Sequence, residues 1–248
     1  MAGHSKWAQI KRKKGVTDAK RGQLFTKLGR EIAVAVRSGG PKPEENSALR
    51  LAVERARASN MPNANIQRAI DRASGGGDGS QLEEIRYEAY GPGGAALLID
   101  SLTDNRNRTV SEVRAALTRA GTGIAESGAV AWLFEQKGVI AVDVDEQLDP
   151  DDIMLAAIDG GAEDVDVEEG LVEVITAPAD LESARNAVEE VGAPIASAEV
   201  VMRATNTVPV DTDQAGKLMR LIDSLEDLDD VQRVFTNADF PDAALVEA

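Results

Sequence analysis

The chain changes its hydrophobic period at one place. Up to Ser74 the apolar residues recur at helical spacing, and beyond Ser80 they fall into short alternating runs. Between the two stands Ser74-Gly-Gly-Gly-Asp-Gly-Ser80, which has almost nothing to pack and reads as a flexible linker. A helical unit must therefore precede it and an α/β unit follow it. In the helical unit Leu24, Leu28, Ile32 and Val36 form one stripe with Phe25 beside it, and Gly39-Gly40-Pro41 ends the helix. A second helix is expected over Glu44 to Ser59, turning Leu49, Ala52, Val53 and Ala56 inward. A third, over Asn63 to Ala73, buries Ile66, Ala69, Ile70 and Ala73. Residues 1–16 lack this period and read as a mobile arm.

Beyond the linker, Ile85–Tyr90 and Ala95–Leu102 are strands joined by Gly91-Pro92-Gly93-Gly94. Thr109-Val-Ser-Glu112 reads as a capping box opening a helix to Ala120, and Ala129–Phe134 as a strand. Then comes a self-contained run. Strand Val139–Val144 leads to a helix capped at Asp149-Pro-Asp-Asp152, a hairpin of Val165–Val167 with Leu171–Thr176, helix Asp180–Val191 and strand Ala198–Arg203. That order is β-α-β-β-α-β, the ferredoxin-like pattern. Thr207–Val210, a helix capped by Asp211-Thr-Asp-Gln214, and Val231–Thr236 repeat half of it. The fold class expected is α+β with three domains: an all-helical bundle (1–76), a ferredoxin-like domain made of 81–135 with 204–240, and a second, acidic ferredoxin-like domain (136–203) inserted in it.

Charge is split along the same line. Residues 1–74 hold 16 Lys and Arg against 6 Asp and Glu, a net of +10, within a chain whose formal charge is −16; the remainder stands at −26. Such asymmetry speaks to partners rather than to fold. Through Arg30 nine basic residues face a single acid, Asp18, so the natural partner of this end is a polyanion. Lys6, Lys11, Arg12, Lys13, Lys14, Lys20, Arg21, Lys27 and Arg30 are the candidate phosphate contacts. Trp7 lies among them and either stacks on a base or ribose or docks against the helical domain.

Catalytic chemistry has little to work with. There is no cysteine and one histidine, His4, so nucleophile triads and the usual zinc sites cannot be assembled. The absence of cysteine fits a reducing cytoplasm. No phosphate-binding P-loop occurs, and no apolar run reaches membrane-spanning length or forms a secretory signal. The acids Asp149, Asp151, Asp152, Glu163, Asp164, Asp166, Glu168 and Glu169 read as a solvated face, since Gly170 is misplaced for a calcium loop. No catalytic residue, metal or cofactor is assigned. The segment Thr103-Asp104-Asn105-Arg106-Asn107-Arg108-Thr109 has two readings of equal weight. It is a polar recognition loop, or a strand-to-helix connection whose Asp104, Asn105 and Asn107 bond locally. Arg86-Tyr-Glu-Ala-Tyr-Gly reads as packing and hairpin geometry.

Ala2-Gly-His-Ser-Lys-Trp-Ala-Gln-Ile-Lys, Asp18-Ala-Lys-Arg-Gly, Asn60-Met-Pro, Tyr87-Glu-Ala-Tyr-Gly-Pro-Gly-Gly94, Thr103–Thr109 and Val130-Ala-Trp-Leu-Phe134 together resemble the YebC/PmpR family over nearly the full length. The resemblance implies three domains, one helical and two ferredoxin-like, and a non-enzymatic regulator of gene expression. Bacterial members are labelled DNA-binding transcriptional regulators. Mitochondrial relatives activate translation, and bacterial relatives are linked to relief of ribosome stalling. The expectation carried forward is a ribosome-associated, RNA-contacting translation factor, with ribosomal proteins as further partners. The alternative is a DNA-binding transcriptional regulator whose third helix offers Asn65, Gln67, Arg68 and Arg72 to a groove. The sequence does not specify an oligomeric state.

Overall fold

In a computed structural model the residues described are 18–75, 82–144, 148–168 and 170–241. The arm expected at 1–16 lies outside them, as does the linker expected at 74–80 from residue 76 on; Ser74 instead ends the third helix and Gly75 caps it. The helical unit is α1 (Asp18–Gly39), α2 (Ser47–Ala58) and α3 (Asn63–Ser74). Leu28, Ile32 and Val36 of the expected stripe are buried against Leu49, Val53, Ile66 and Ile70, so each amphipathic helix covers the apolar face of the others. The second helix starts later than expected. Glu44 and Glu45 lie in the turn before it, and Asn46 is the N-cap, its Oδ1 accepting from Leu49 N at 3.1 Å. The Asn46 amide also donates to the carbonyls of Ala35 (2.7 Å) and Gly40 (2.9 Å), closing the α1–α2 turn. Gly39 permits this: a Cβ there would stand 2.7 Å from the amide.

After the linker come β1 (Glu83–Tyr90), β2 (Ala96–Thr103), α4 (Arg106–Arg119) and β3 (Phe134–Asp143). Next follow α5 (Pro150–Asp159), β4 (Ala162–Glu168), β5 (Leu171–Thr176), α6 (Leu181–Glu190) and β6 (Ile195–Ala204). The chain ends with β7 (Val208–Pro209), α7 (Thr212–Glu226), β8 (Val231–Thr236) and β9 (Ala238–Asp239). One sheet runs β4-β5-β3-β6, all antiparallel, with α5 and α6 against one face, which is the ferredoxin-like order. The other runs β1-β2-β8, with the chain of the first sheet entering and leaving between α4 and α7.

Alternation along β2 sorts its two faces. Leu97 and Ile99 point into the α4–α7 core, while Ala96 and Leu98 meet Val130, Leu133, Phe134 and Val201 on the opposite side. The expected strand over Ala129–Phe134 is instead a 3-10 turn, Ala131–Leu133, and β3 begins at Phe134. Strands β3 and β6 pair from Phe134↔Ala204 onward, so this ribbon runs through the expected 135/136 and 203/204 boundaries without a break. The reason is packing: Phe134 and Val201 at the base of the ribbon close the back of the three-stranded sheet.

Because the Asn46 side chain serves three backbone groups at once, Asn46→Ala is expected to lower the unfolding free energy by about 1–2 kcal/mol. Urea denaturation followed by circular dichroism checks this; an unshifted midpoint would show that the cap contributes nothing.

Candidate nucleic-acid interface

Lys20, Gln23, Lys27 and Arg30 fall three or four residues apart, so they share one stripe of α1. That stripe lies on the carboxyl end of α7 and the run Asp227-Leu-Asp-Asp230. Lys20 Nζ pairs with Asp227 at 2.9 Å, and Gln23 Nε2 stands 3.5 Å from Asp227 O and Asp229 Oδ1. Lys27 Nζ donates to Glu226 O, and Arg30 Nη1 to Asp229 O (2.6 Å) and Asp230 Oδ1 (3.0 Å). A helix carboxyl end presents unpaired carbonyls and partial negative charge, and three carboxylates follow it here, so cations are drawn to it. The hydrogen bond to Asp227 raises the Lys20 ammonium above its ordinary pKa. Lys20 and Arg30, expected at phosphates, are thus turned onto the protein's own acids, and Lys27, expected there too, onto a carbonyl at the end of α7.

Asp230 is the centre of this contact. Its side chain is 1% exposed, yet it receives Arg108 Nε (3.0 Å) and Nη2 (2.8 Å), Arg30, and the hydroxyls of Thr109 (2.8 Å) and Thr103 (3.1 Å). Burial pushes the carboxyl's pKa up, but the hydrogen bonds from Arg108, Thr109 and Thr103 hold it below the usual range. Arg108 also reaches Asp104 at 2.8 Å, and the two carboxylates raise its own pKa.

The segment 103–109 is therefore not a free loop from Asn105 onward. Asn105 caps α4 by accepting from Arg108 N (3.1 Å), and Arg106, Asn107 and Arg108 form the first turn. The helix opens before the capping box expected at Thr109, because Asn105 already caps it and the Thr109 hydroxyl is engaged inside, beside Asp230. Arg106 and Asn107 stay exposed on the outside.

A second seam joins the helical unit to the inserted domain. Arg55 bonds Glu31 (2.7 Å) and Glu199 (2.5 Å), Arg50 bonds Glu182 (2.5 Å), and Arg185 returns to Glu54 (2.7 Å). Burial pushes the Arg55 guanidinium down, and Glu31 and Glu199 more than offset it. An open cleft of 710 Å³ lies along the junction. Ser101 Oγ and both polar atoms of Gln232 lack hydrogen-bond partners at its wall. Arg55, Arg86 and Arg233 in that wall are each paired with a carboxylate, so the cleft offers an anion no free cation. Among the described residues no cluster could hold a metal ion, and no helix is long and apolar enough to cross a membrane.

Arg57 and Arg72 on the helical unit, and Arg106, Arg114 and Arg119 on α4, are exposed and make no ion pair among the described residues. Arg21 is exposed on α1. Lys6, Trp7, Lys11, Arg12, Lys13 and Lys14 lie outside the described residues. On α3, Arg68 bonds Asn65 (2.7 Å) and Gln67 bonds Asp71 (2.8 Å), so three of the four side chains weighed for groove reading are bonded along the helix itself. Sequence reasoning missed Asp230 and the basic character of α4. The four arginines of Arg106–Arg119 against Glu112 were a visible signal for the second; nothing local marks the first.

The family described as TACO1/YebC protein N-terminal domain matches residues 5–76, and that described as TACO1/YebC second and third domain matches residues 82–238. A protein of Roseiflexus castenholzii named probable transcriptional regulatory protein is 56% identical over 96% of this chain and 94% of its own length. One of Moorella thermoacetica with the same name is 53% identical over 99% and 98%. The crystal structure of a conserved hypothetical protein from Aquifex aeolicus superposes with a TM-score of 0.81 at 45% identity, covering 90% of this chain and 92% of that one.

Asp230→Ala leaves two guanidinium groups and two hydroxyls facing a void, and is expected to cost about 3 kcal/mol in urea denaturation. The Asp230 pKa is depressed in the fold, so its contribution is complete above the unfolded value near ~3.9 and is lost as pH falls through the lower folded value. Tm measured from pH 7 down to pH 3 should fall more steeply for the wild type than for Asp230→Asn; parallel curves would contradict the assignment.

Proposed function

Because the chain belongs to the TACO1/YebC family, we propose that it is a non-enzymatic regulator of gene expression that grips RNA on the ribosome through its basic amino-terminal segment. The observation that carries this reading is how the cations divide. Lys20, Arg30, Arg50 and Arg55 are spent on internal acids, and Lys27 on the carbonyl oxygen of Glu226. Residues 1–17, by contrast, contain Lys6, Lys11, Arg12, Lys13 and Lys14 and no Asp or Glu at all. An acid-free cluster of five charges at the start of α1 suits phosphates, which set affinity and register without reading sequence. Arg21 lies at its root on α1, and Trp7 within it supplies a stacking face. The portion from residue 75 onward, at −26, is repelled by RNA and faces outward or against basic ribosomal proteins.

The names of the relatives favour a second reading, in which the polyanion is duplex DNA and transcription is the process regulated. It requires side chains offered to base edges in the major groove. On α3 only Arg72 of the four weighed stays clear of intrahelical bonding, and that gives little direct readout.

Reversing Lys11, Arg12, Lys13 and Lys14 to Glu is expected to abolish co-sedimentation with ribosomes while leaving Tm unchanged. If ~6 phosphates are neutralised, log K falls against log salt with a slope of about −4 to −5. Unchanged co-sedimentation defeats the phosphate assignment. Sequence-specific duplex binding at physiological salt, without ribosome association, supports transcription instead.

A further inference from the structure

This chain contains two tryptophans and two tyrosines. One of each, Trp132 (69% exposed) and Tyr90 (44% exposed), stands on the surface of the middle domain, far from the usual placement of large aromatic side chains. They are not scattered. Trp132 Nε1 and Tyr90 Oη both donate to the carbonyl oxygen of Ala129, each at 3.1 Å, so the polar edges of the two rings meet at one atom and both rings are held in place.

The turn that carries that oxygen is itself held from beneath. Glu88, 6% exposed on β1, accepts from the backbone N–H groups of Gly128 (2.7 Å), Val130 (2.7 Å) and Ala131 (2.8 Å). A buried carboxylate saturated by three backbone donors fixes the turn, and the turn fixes the indole. Thr122, three residues after Arg119, closes the other side by donating to Tyr90 O. This ties the loop that follows α4 to the end of β1 that carries Tyr90. Arg119 and Arg114 on that helix are exposed without an ion pair among the described residues, and Glu126 is the opposing exposed charge nearby in sequence.

The geometry points to a second nucleic-acid contact: Trp132 and Tyr90 form a stacking platform for an unpaired nucleobase, whose flanking phosphates meet Arg119 and Arg114. Aromatic faces beside unpaired arginines are the combination that single-stranded nucleic acids select, since every base has a stacking face and every linkage a charge. A platform of rigid rings loses little freedom on binding. Glu88 acts as a positioning residue through the 128–131 turn and touches no ligand. This inference rests on the proposed RNA-binding function and assigns it a site apart from the basic segment.

The test uses the full-length chain in a Trp7→Phe background, where Trp132 is the only indole. Titration with a twelve-nucleotide single-stranded oligouridylate should quench Trp132 emission, and the same strand in a duplex should not. Trp132→Ala should weaken single-strand binding by about 5–150-fold, the range that loss of one stacked base implies. Trp132→Phe should restore most of it, and Glu88→Gln should weaken binding while broadening Trp132 anisotropy decay. The exposed ring is not part of a buried core, and Tm recorded for each variant separates lost binding from lost folding. Saturable binding that the Lys11–Lys14 reversal removes, with Trp132 emission unchanged throughout, overturns the platform and leaves the basic-segment reading standing. No nucleic-acid binding in any arm of the experiment overturns both. Quenching by a lysine-rich peptide alone, or an emission shift that tracks protein concentration, would instead assign the rings to a protein partner or a second copy and overturn the proposal.

Discussion

A carboxylate with 1% exposure cannot stay charged unless several donors surround it, and Asp230 collects them from three parts of the chain. Arg30 comes from the helical unit, Thr103 from the end of β2, and Arg108 with Thr109 from the first two turns of α4. The middle domain cannot close around α4 without Thr109 and Arg108 reaching this group, and α1 cannot dock without Arg30 reaching it. The same carboxylate therefore registers the internal packing of one domain and the seating of another. Removing one partner from such a node is worse than never having had it, because the remaining charges stay buried.

This changes the meaning of the charge asymmetry. Read along the chain, +10 against −26 looks like a protein divided between a polyanion and the solvent. In three dimensions part of the division is complementarity between domains. The α1 stripe from Lys20 to Arg30 meets Glu226–Asp230, while Arg50 and Arg55 meet Glu182 and Glu199. Outside these contacts, Arg57, Arg72, Arg106, Arg114 and Arg119 are exposed and unpaired among the described residues, and residues 1–17 contain no acid in their sequence. A net charge counts neither kind separately.

Legibility followed distance along the chain. The Leu24–Val36 stripe, the Gly39-Gly40 stop and the Asp211–Gln214 capping box are local patterns, and the structure forms each of them. The β-α-β-β-α-β run was readable for the same reason, since its elements alternate in period and are punctuated by turns. What failed was competition between local signals. Thr109-x-x-Glu112 satisfies the capping-box rule, but Asn105 caps better and Asp230 claims the Thr109 hydroxyl. The apolar run Ala129–Phe134 reads as a strand, yet Glu88 draws the backbone N–H groups of Val130 and Ala131 into a turn. That Asp230, of 43 acids, becomes a buried node depends on partners more than a hundred residues away, and no window of sequence contains them.

Salt separates the two uses of positive charge. The Lys20–Asp227 pair has both side chains about half exposed, so it is screened at physiological ionic strength and contributes little to docking. The Asp230 node is almost closed to water and is screened far less. Phosphate contacts behave like the first kind and more so, because binding them releases counterions. Domain docking should therefore survive salt concentrations that strip a nucleic acid from the basic segment. A protein built this way keeps the geometry between α1 and α4 fixed whether or not its partner is bound. On the proposed reading, recognition then draws on contacts held at fixed spacing by the docked domains, such as the outer side of α4, and not on rearrangement of those domains.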